Sequence, residues 1–150
     1  MLFSYSMAKR KETDSFYIHP LVHIWARDRG GMDSQKSESK RREALLLIAS
    51  KLTQRKSPED WALESRMMPH MNILAGHVKN DLEMDLVGAV NDLAKTYLAH
   101  GRYLESQALF HLVLAADQKK SLGMDHPDTL CTVHNIATVY DNQGEYTKAL

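Results

Sequence analysis

Residues 87–110 read VGAVNDLAKTYLAHGRYLESQALF, and residues 130–150 read LCTVHNIATVYDNQGEYTKAL. Set one above the other, they place Ala94 over Ala137, Tyr97 over Tyr140, Gly101 over Gly144 and Tyr103 over Tyr146, each pair 43 residues apart. Val87/Leu130, Val90/Val133 and Leu93/Ile136 hold the same register without identity. A fixed period in this range marks stacked supersecondary units. In the second copy, Leu130, Val133, Ile136, Ala137 and Tyr140 recur every three or four residues and so share one face of a helix. Asn142-Gln143-Gly144 ends that helix, because glycine reaches positive φ without a steric cost. Tyr146 and Ala149 open a second helix, which the first copy carries further through Tyr103, Ser106, Gln107, Phe110, Val113 and Leu114. Ala94, Ser106, Ala137 and Ala149 are small where two helices must approach closely. Each unit is a helical hairpin that cannot bury its apolar faces alone, so the expected fold is all-α, an α-solenoid.

These residues resemble the tetratricopeptide repeat in its longer, kinesin-light-chain-like form. The standard repeat is about 34 residues, and the excess falls in longer helices and in the connector LGMDHPDT, residues 122–129. That connector, with the NIATVY and QGEYTKAL blocks, looks like the kinesin-light-chain consensus almost residue for residue. Pro127 suits the first turn of a helix, where its missing N–H is not needed, and Asp125 and Asp128 are placed to accept bonds from the free amides there. The resemblance assigns one complete and one truncated repeat to residues 82–150. It implies a concave groove, lined by the first helix of each hairpin, that takes a protein or peptide ligand. In this repeat the asparagine before the Leu/Ile-Ala pair points into the groove and bonds a peptide backbone. That position is Asn135 here, and its counterpart in the first copy is Asp92, a departure that favours a basic or polar ligand. Thr138 and Asp141, further along, are the other candidate groove residues. Tyr97, Tyr103, Tyr140 and Tyr146 read as repeat packing rather than a ligand cage, since all four keep the register.

The 150 residues are 43% hydrophobic and 25% charged with a formal net charge of +0. That balance describes a chain able to bury a core, with no global pull toward nucleic acid or an anionic membrane. A single cysteine, Cys131, allows no internal disulfide and suits a reducing compartment. No apolar run reaches 18 residues, and the MLFSYSMAKRK start puts its charges after a short mixed stretch, the reverse of a signal peptide. A cytoplasmic location is the expectation.

Upstream, LFSYSM is a short apolar stretch, AKRKETD reads as a polar turn, and SFYIH carries strand-forming residues before Pro20, so at most a short hairpin is expected near residues 8–18. A helix is expected over residues 20–28, ended by Gly30-Gly31. The run SFYIHPLVHIWARDR resembles the last part of the winged-helix region that closes the nucleotide-binding (NB-ARC) module of STAND-type, NLR-like proteins, a family in which a repeat domain commonly follows. Residues 1–29 are therefore read as a partial winged-helix remnant. Only its final portion is matched, and no GxxxxGK[ST] phosphate loop occurs, so no nucleotide-binding residue is carried over. Both ends read as cut, and the chain reads as a fragment, a shortened gene product or a partial gene model. Residues 30–40, GGMDSQKSESK, have the composition of a linker. Residues 41–81 read as a divergent, repeat-like helical cap: an apolar helix over 42–54, then Ser57 as N-cap with Pro58 and Asp60 opening a helix over 58–68. Pro69 separates that helix from another over 70–80.

No enzyme chemistry emerges. His19 and His23 are four apart but lack the glutamate of HExxH and a third ligand, so they read as capping or packing. His70 and His77 lie too far apart along a helix to share an ion, and no serine sits in GxSxG. The basic run KSESKRR, residues 36–42, reads as a solvated helix start rather than a phosphate contact. No cofactor, metal, nucleic acid or membrane partner is expected. The leading functional reading is a non-catalytic protein-interaction module, the fragment of a fungal-type NLR-like signalling protein whose repeat groove senses a peptide or protein, with self-association expected through the truncated C-terminal repeat. The alternative is a free-standing kinesin-light-chain-like adaptor for cargo or chaperone partners.

Overall fold

The structure, a computed structural model, describes residues 8–12, 15–18, 34–52, 57–78, 81–119 and 125–149. Two units divide the chain, Met1–Lys40 and Arg41–Leu150. In the first, strands β1 (Ala8–Glu12) and β2 (Ser15–Ile18) form an antiparallel hairpin pairing Ala8 with Ile18, Lys9 with Tyr17 and Arg10 with Phe16, with an irregularity before Glu12 meets Ser15. SFYI is a strand as expected, whereas AKRKE, read as a turn, is its partner. Its residues have poor strand propensity, and cross-strand pairing decides such a stretch more than propensity does. The expected helix over residues 20–28, His19 and His23, and the Gly30-Gly31 stop lie outside the described residues.

Among the described residues six helices follow: α1 (Ser34–Ala49), α2 (Pro58–Ala75), α3 (Val87–Ala99), α4 (Tyr103–Lys119), α5 (Pro127–Asn142) and α6 (Tyr146–Ala149). The fold is the all-α array of packed hairpins that the 43-residue spacing implies: α2 packs on α3, α3 on α4, α4 on α5 and α5 on α6. Helix α1 starts at Ser34, inside the polar stretch read as linker, because Gln, Lys, Glu and Arg are good helix formers whatever they face.

Pro69 does not end a helix. It lies inside α2, which runs unbroken from Pro58 to Ala75. An interior proline costs about 3 kcal/mol, but Met71 beyond it is fully buried, and Met67, Met68 and Leu74 pack against the core. Burying a large apolar side chain is worth about 1.5–3 kcal/mol, so together these groups outweigh the proline. The start of α2 is as read: Ser57 Oγ accepts from the Asp60 amide and Asp60 Oδ2 accepts from the Ser57 amide, a reciprocal capping box, with Pro58 at the first position. For α5 the cap is His126, not Asp125: its Nδ1 accepts from the Asp128 amide at 3.2 Å, ahead of Pro127.

The two repeat turns are built alike. Gly101 and Gly144 have φ of 71° and 76°. The Arg102 amide donates to the Tyr97 carbonyl and the Glu145 amide to the Tyr140 carbonyl, both at 2.9 Å, while Gly101 and Gly144 close the shorter bonds to Leu98 and Asp141. This is the Schellman termination, and it needs the left-handed glycine. At the expected close approach, Ser106 Oγ donates to the Ala94 carbonyl at 2.8 Å in the buried α3–α4 seam. Tyr97, Phe110, Leu93, Val90, Val113 and Val139 fill the core.

Candidate functional site

The buried residues of α3 are Val87, Ala89, Val90, Leu93, Ala94, Thr96 and Tyr97, which leaves Asn91, Asp92 and Lys95 on the solvent side. In α5 the buried set is Thr129, Thr132, Ile136 and Val139, leaving Cys131, His134, Thr138, Asp141 and Asn142 outward. The outward faces of these two first helices are where the sequence puts a ligand groove.

Each expected groove residue is at least partly open to solvent, but their states differ. Asp92 Oδ1 stands 3.9 Å from Lys95 Nζ, a loose pair with both side chains about half exposed, and the Asp92 carbonyl accepts from Thr96 Oγ1 at 3.0 Å. The Asn135 side-chain amide is half-buried and makes no hydrogen bond with the described residues. Thr138 is already engaged: its hydroxyl donates to the His134 carbonyl at 2.9 Å, and Asn142 Nδ2 donates to the Thr138 carbonyl at 2.7 Å. Its proton serves the helix, so only its oxygen lone pairs face outward. Asp141 is exposed. Asn135, Thr138 and Asn142 follow one another at helical spacing along α5, while Asp92 sits on α3, and no hydrogen bond or ion pair joins Asp92 to Asn135 among the described residues.

The four tyrosines that keep the repeat register differ in their surroundings. Tyr97 is fully buried; its hydroxyl donates to Asn72 Oδ1 on α2 at 2.9 Å, and the Arg102 guanidinium lies 5.1 Å from its ring. Burial pushes its phenol above the ordinary tyrosine value, against the pull of Arg102. Tyr140 is half-buried and its hydroxyl accepts from Gln107 Nε2 at 3.0 Å. Tyr103 is half-buried, and Tyr146 is 65% exposed.

One hollow escaped the sequence reading. An open cavity of about 710 Å³ lies along the two glycine turns, lined by Arg102, Leu104, Glu105, Gln107, Gln143 and Lys148 among others. Its cations are spoken for. Arg102 pairs with Glu105 and Asn72, and Lys148 with Glu145. Burial raises the Glu105 carboxyl, but the Arg102 hydrogen bond, the bond from its own backbone amide and the Arg102 charge together outweigh it and leave the group below its ordinary value; Glu145 in turn holds the Lys148 ammonium above its own. The 43-residue spacing was the available signal, since it relates Arg102 to Glu145 and Glu105 to Lys148. Among the described residues, no group of three or more His, Cys, Asp or Glu is placed to hold a metal ion, and no helix is long and apolar enough to cross a membrane. Cys131 is a free, exposed thiol.

Residues 86–150 match the family model described as tetratricopeptide repeat. Over those residues the chain is similar to tetratricopeptide repeats. The matched residues contain both glycine turns, the Ser106–Ala94 seam and the outward faces of α3 and α5, so the helical-repeat fold and the family match describe the same part of the molecule. No match to the chain was found among curated proteins or among solved structures.

Proposed function

We propose that the tetratricopeptide repeats serve as a non-catalytic protein-interaction module, in which the outward faces of α3 and α5 receive an extended peptide segment. The observation that carries this reading is Asn135: a half-buried amide on α5, at the position the resemblance assigns to the groove, with no hydrogen-bond partner among the described residues. An amide offers donors and an acceptor, which suits the backbone of an extended peptide. Asp92, loosely paired with Lys95, and the exposed Asp141 bias the surface toward a ligand with basic side chains. The test is a fluorescence-anisotropy screen of labelled dodecapeptides in basic, acidic and uncharged sets. Basic peptides should bind best, and Asn135→Ala should weaken them about tenfold, the effect of losing a hydrogen bond worth about 1–1.5 kcal/mol. Equal affinity for all three sets, or an unchanged Asn135→Ala, would remove the proposal.

The finer reading is an NLR-like signalling protein of the cytoplasm, in which residues 1–29 are the end of a winged helix and residues 41–81 a divergent cap on the repeats. The SFYIHPLVHIWARDR resemblance, its position ahead of the repeats, and the β1–β2 hairpin, the element from which a wing is made, support it. A kinesin-light-chain-like adaptor is the second reading, favoured by the LGMDHPDT connector and the NIATVY block. Self-association belongs to either reading: Leu130 and Val133 on α5 are exposed where their register counterparts Val87 and Val90 are buried, and Tyr146 on α6 is exposed as well.

A further inference from the structure

The two repeat turns carry charges of opposite order. Arg102 and Glu105 stand at the start of α4, and their counterparts 43 residues on, Glu145 and Lys148, stand at the start of α6. The base comes first in one turn and the acid first in the other. Within each turn the pair closes on itself: Arg102 Nε donates to Glu105 Oε1 at 3.0 Å, and Lys148 pairs with Glu145. Because the turns are built alike, with Gly101 and Gly144 both at positive φ, Arg102 and Glu145 take equivalent places, and so do Glu105 and Lys148. All four line the hollow that runs along the turns. Their signs therefore alternate around it, the two cations at one pair of opposite corners and the two carboxylates at the other. None of the four is buried, so each pair is screened by water and holds its partner weakly. Leu104, which lines the same hollow, is 75% exposed, and Tyr146 at the start of α6 is 65% exposed.

We propose that this hollow is the face through which two copies of the chain associate, related by a two-fold axis that runs between the turns, so that the first turn of each copy meets the second turn of the other. That rotation sets Arg102 against Glu145 and Glu105 against Lys148 of the other copy. Symmetry repeats both contacts, and all four charges of each copy find an opposite sign. A ligand of single sign would gain at two corners what it loses at the other two, whereas a pattern complementary to itself fits a second copy. The same rotation carries Leu104 of each copy over Thr147 of the other, beside Tyr146, and takes these exposed apolar groups out of water. Charge fixes the orientation and the choice of partner, and apolar burial supplies the attraction. This assigns a surface to the self-association proposed above, on which it rests; it does not depend on the peptide-binding reading. Leu130 and Val133 do not line the hollow.

Sedimentation velocity of the full chain at high micromolar concentration, without added peptide, tests this. Two swaps each keep a charge pair within the turn and leave the net charge unchanged, but make both turns alike: Arg102→Glu/Glu105→Lys and Glu145→Arg/Lys148→Glu. In either variant alone like charges meet at every corner, and association should weaken at least about tenfold. Mixed in equal amounts, the two variants are complementary and should associate as the wild type does, a rescue that a folding defect cannot produce. Leu130→Asp should leave association unchanged. A wild-type chain that stays monomeric overturns this proposal and self-association together. Association that survives the swaps, a mixture that stays monomeric, or loss of association in Leu130→Asp overturns this proposal alone. Arg102 also bonds to Asn72 and lies 5.1 Å from the Tyr97 ring. Should the first swap therefore not fold, the second decides: it must lose the association that Leu130→Asp keeps, and the reverse result refutes the interface.

Discussion

Alanine at Gly101 and alanine at Gly88 should move stability in opposite directions. At Gly101, φ is 71°, and a Cβ would meet only the Tyr103 hydroxyl, 3.9 Å away. Nothing is crowded, so the whole cost is backbone: an alanine held in the left-handed region loses about 1–2 kcal/mol. The chain cannot escape this cheaply, because the Arg102–Tyr97 and Gly101–Leu98 bonds that end α3 depend on that conformation. Gly144, with φ of 76° and nothing within 4 Å of a Cβ, should show the same loss in α5. Gly88 lies in the first turn of α3 with equally open space and no left-handed requirement, so alanine there should stabilise by about 0.5 kcal/mol through a less costly helix. In urea unfolding followed by helical circular dichroism, with a slope of about 1–3 kcal/mol per molar, Gly101→Ala should lower the midpoint by roughly 0.5–1 M. Gly88→Ala should raise it. Asparagine at Gly101 should recover part of the loss, since it tolerates the left-handed region better than alanine. An unchanged or raised midpoint for Gly101→Ala would refute the turn geometry and with it the hairpin.

Burial predicts a similar contrast within α4. Phe110 is fully buried and Leu104 is 75% exposed, so Phe110→Ala should cost about 3–5 kcal/mol by chemical denaturation while Leu104→Ala stays within about 0.5. Ser57→Ala removes the hydroxyl half of the capping box and should cost about 1 kcal/mol, with faster amide exchange in the first turn of α2 and not in α5. Because burial holds the Tyr97 phenol above its ordinary value, the folded state keeps that proton longer than the unfolded chain does. Its contribution is complete below about pH 10 and is lost as pH rises through the folded value; stability curves of Tyr97→Phe should lose that alkaline slope.

The repeat was legible because its marks are local. A glycine that must take positive φ, small residues at a helix crossing, a serine-proline-acid start and apolar residues three and four apart act over a few positions, so Gly101, Gly144, Ala94, Ser106 and Ser57 could be assigned without knowing any neighbour. Asn135 was singled out in the same way, through its place in the period, and its side-chain amide makes no hydrogen bond with the described residues. That the Thr138 hydroxyl serves the His134 carbonyl was not legible, because it depends on a rotamer, which residue type leaves open.

What the sequence by itself determined is the pair of repeat hairpins and their period. Tertiary structure decided everything that rests on contacts between distant positions. Pro69 stays inside α2 because Met71 finds a buried site among other helices, a gain that no window around the proline contains. AKRKE becomes a strand because SFYI is there to pair with it. Tyr97 and Tyr146 both belong to the repeat pattern, yet one is fully buried and the other 65% exposed, since burial depends on which helices lie alongside. Glu64 and His100 are 36 residues apart and unremarkable in sequence, and only the packing of α2 on the end of α3 brings acid to base. Local rules act through a few bonds of one chain segment, whereas packing and charge act through space, and it is the fold that determines which residues share that space.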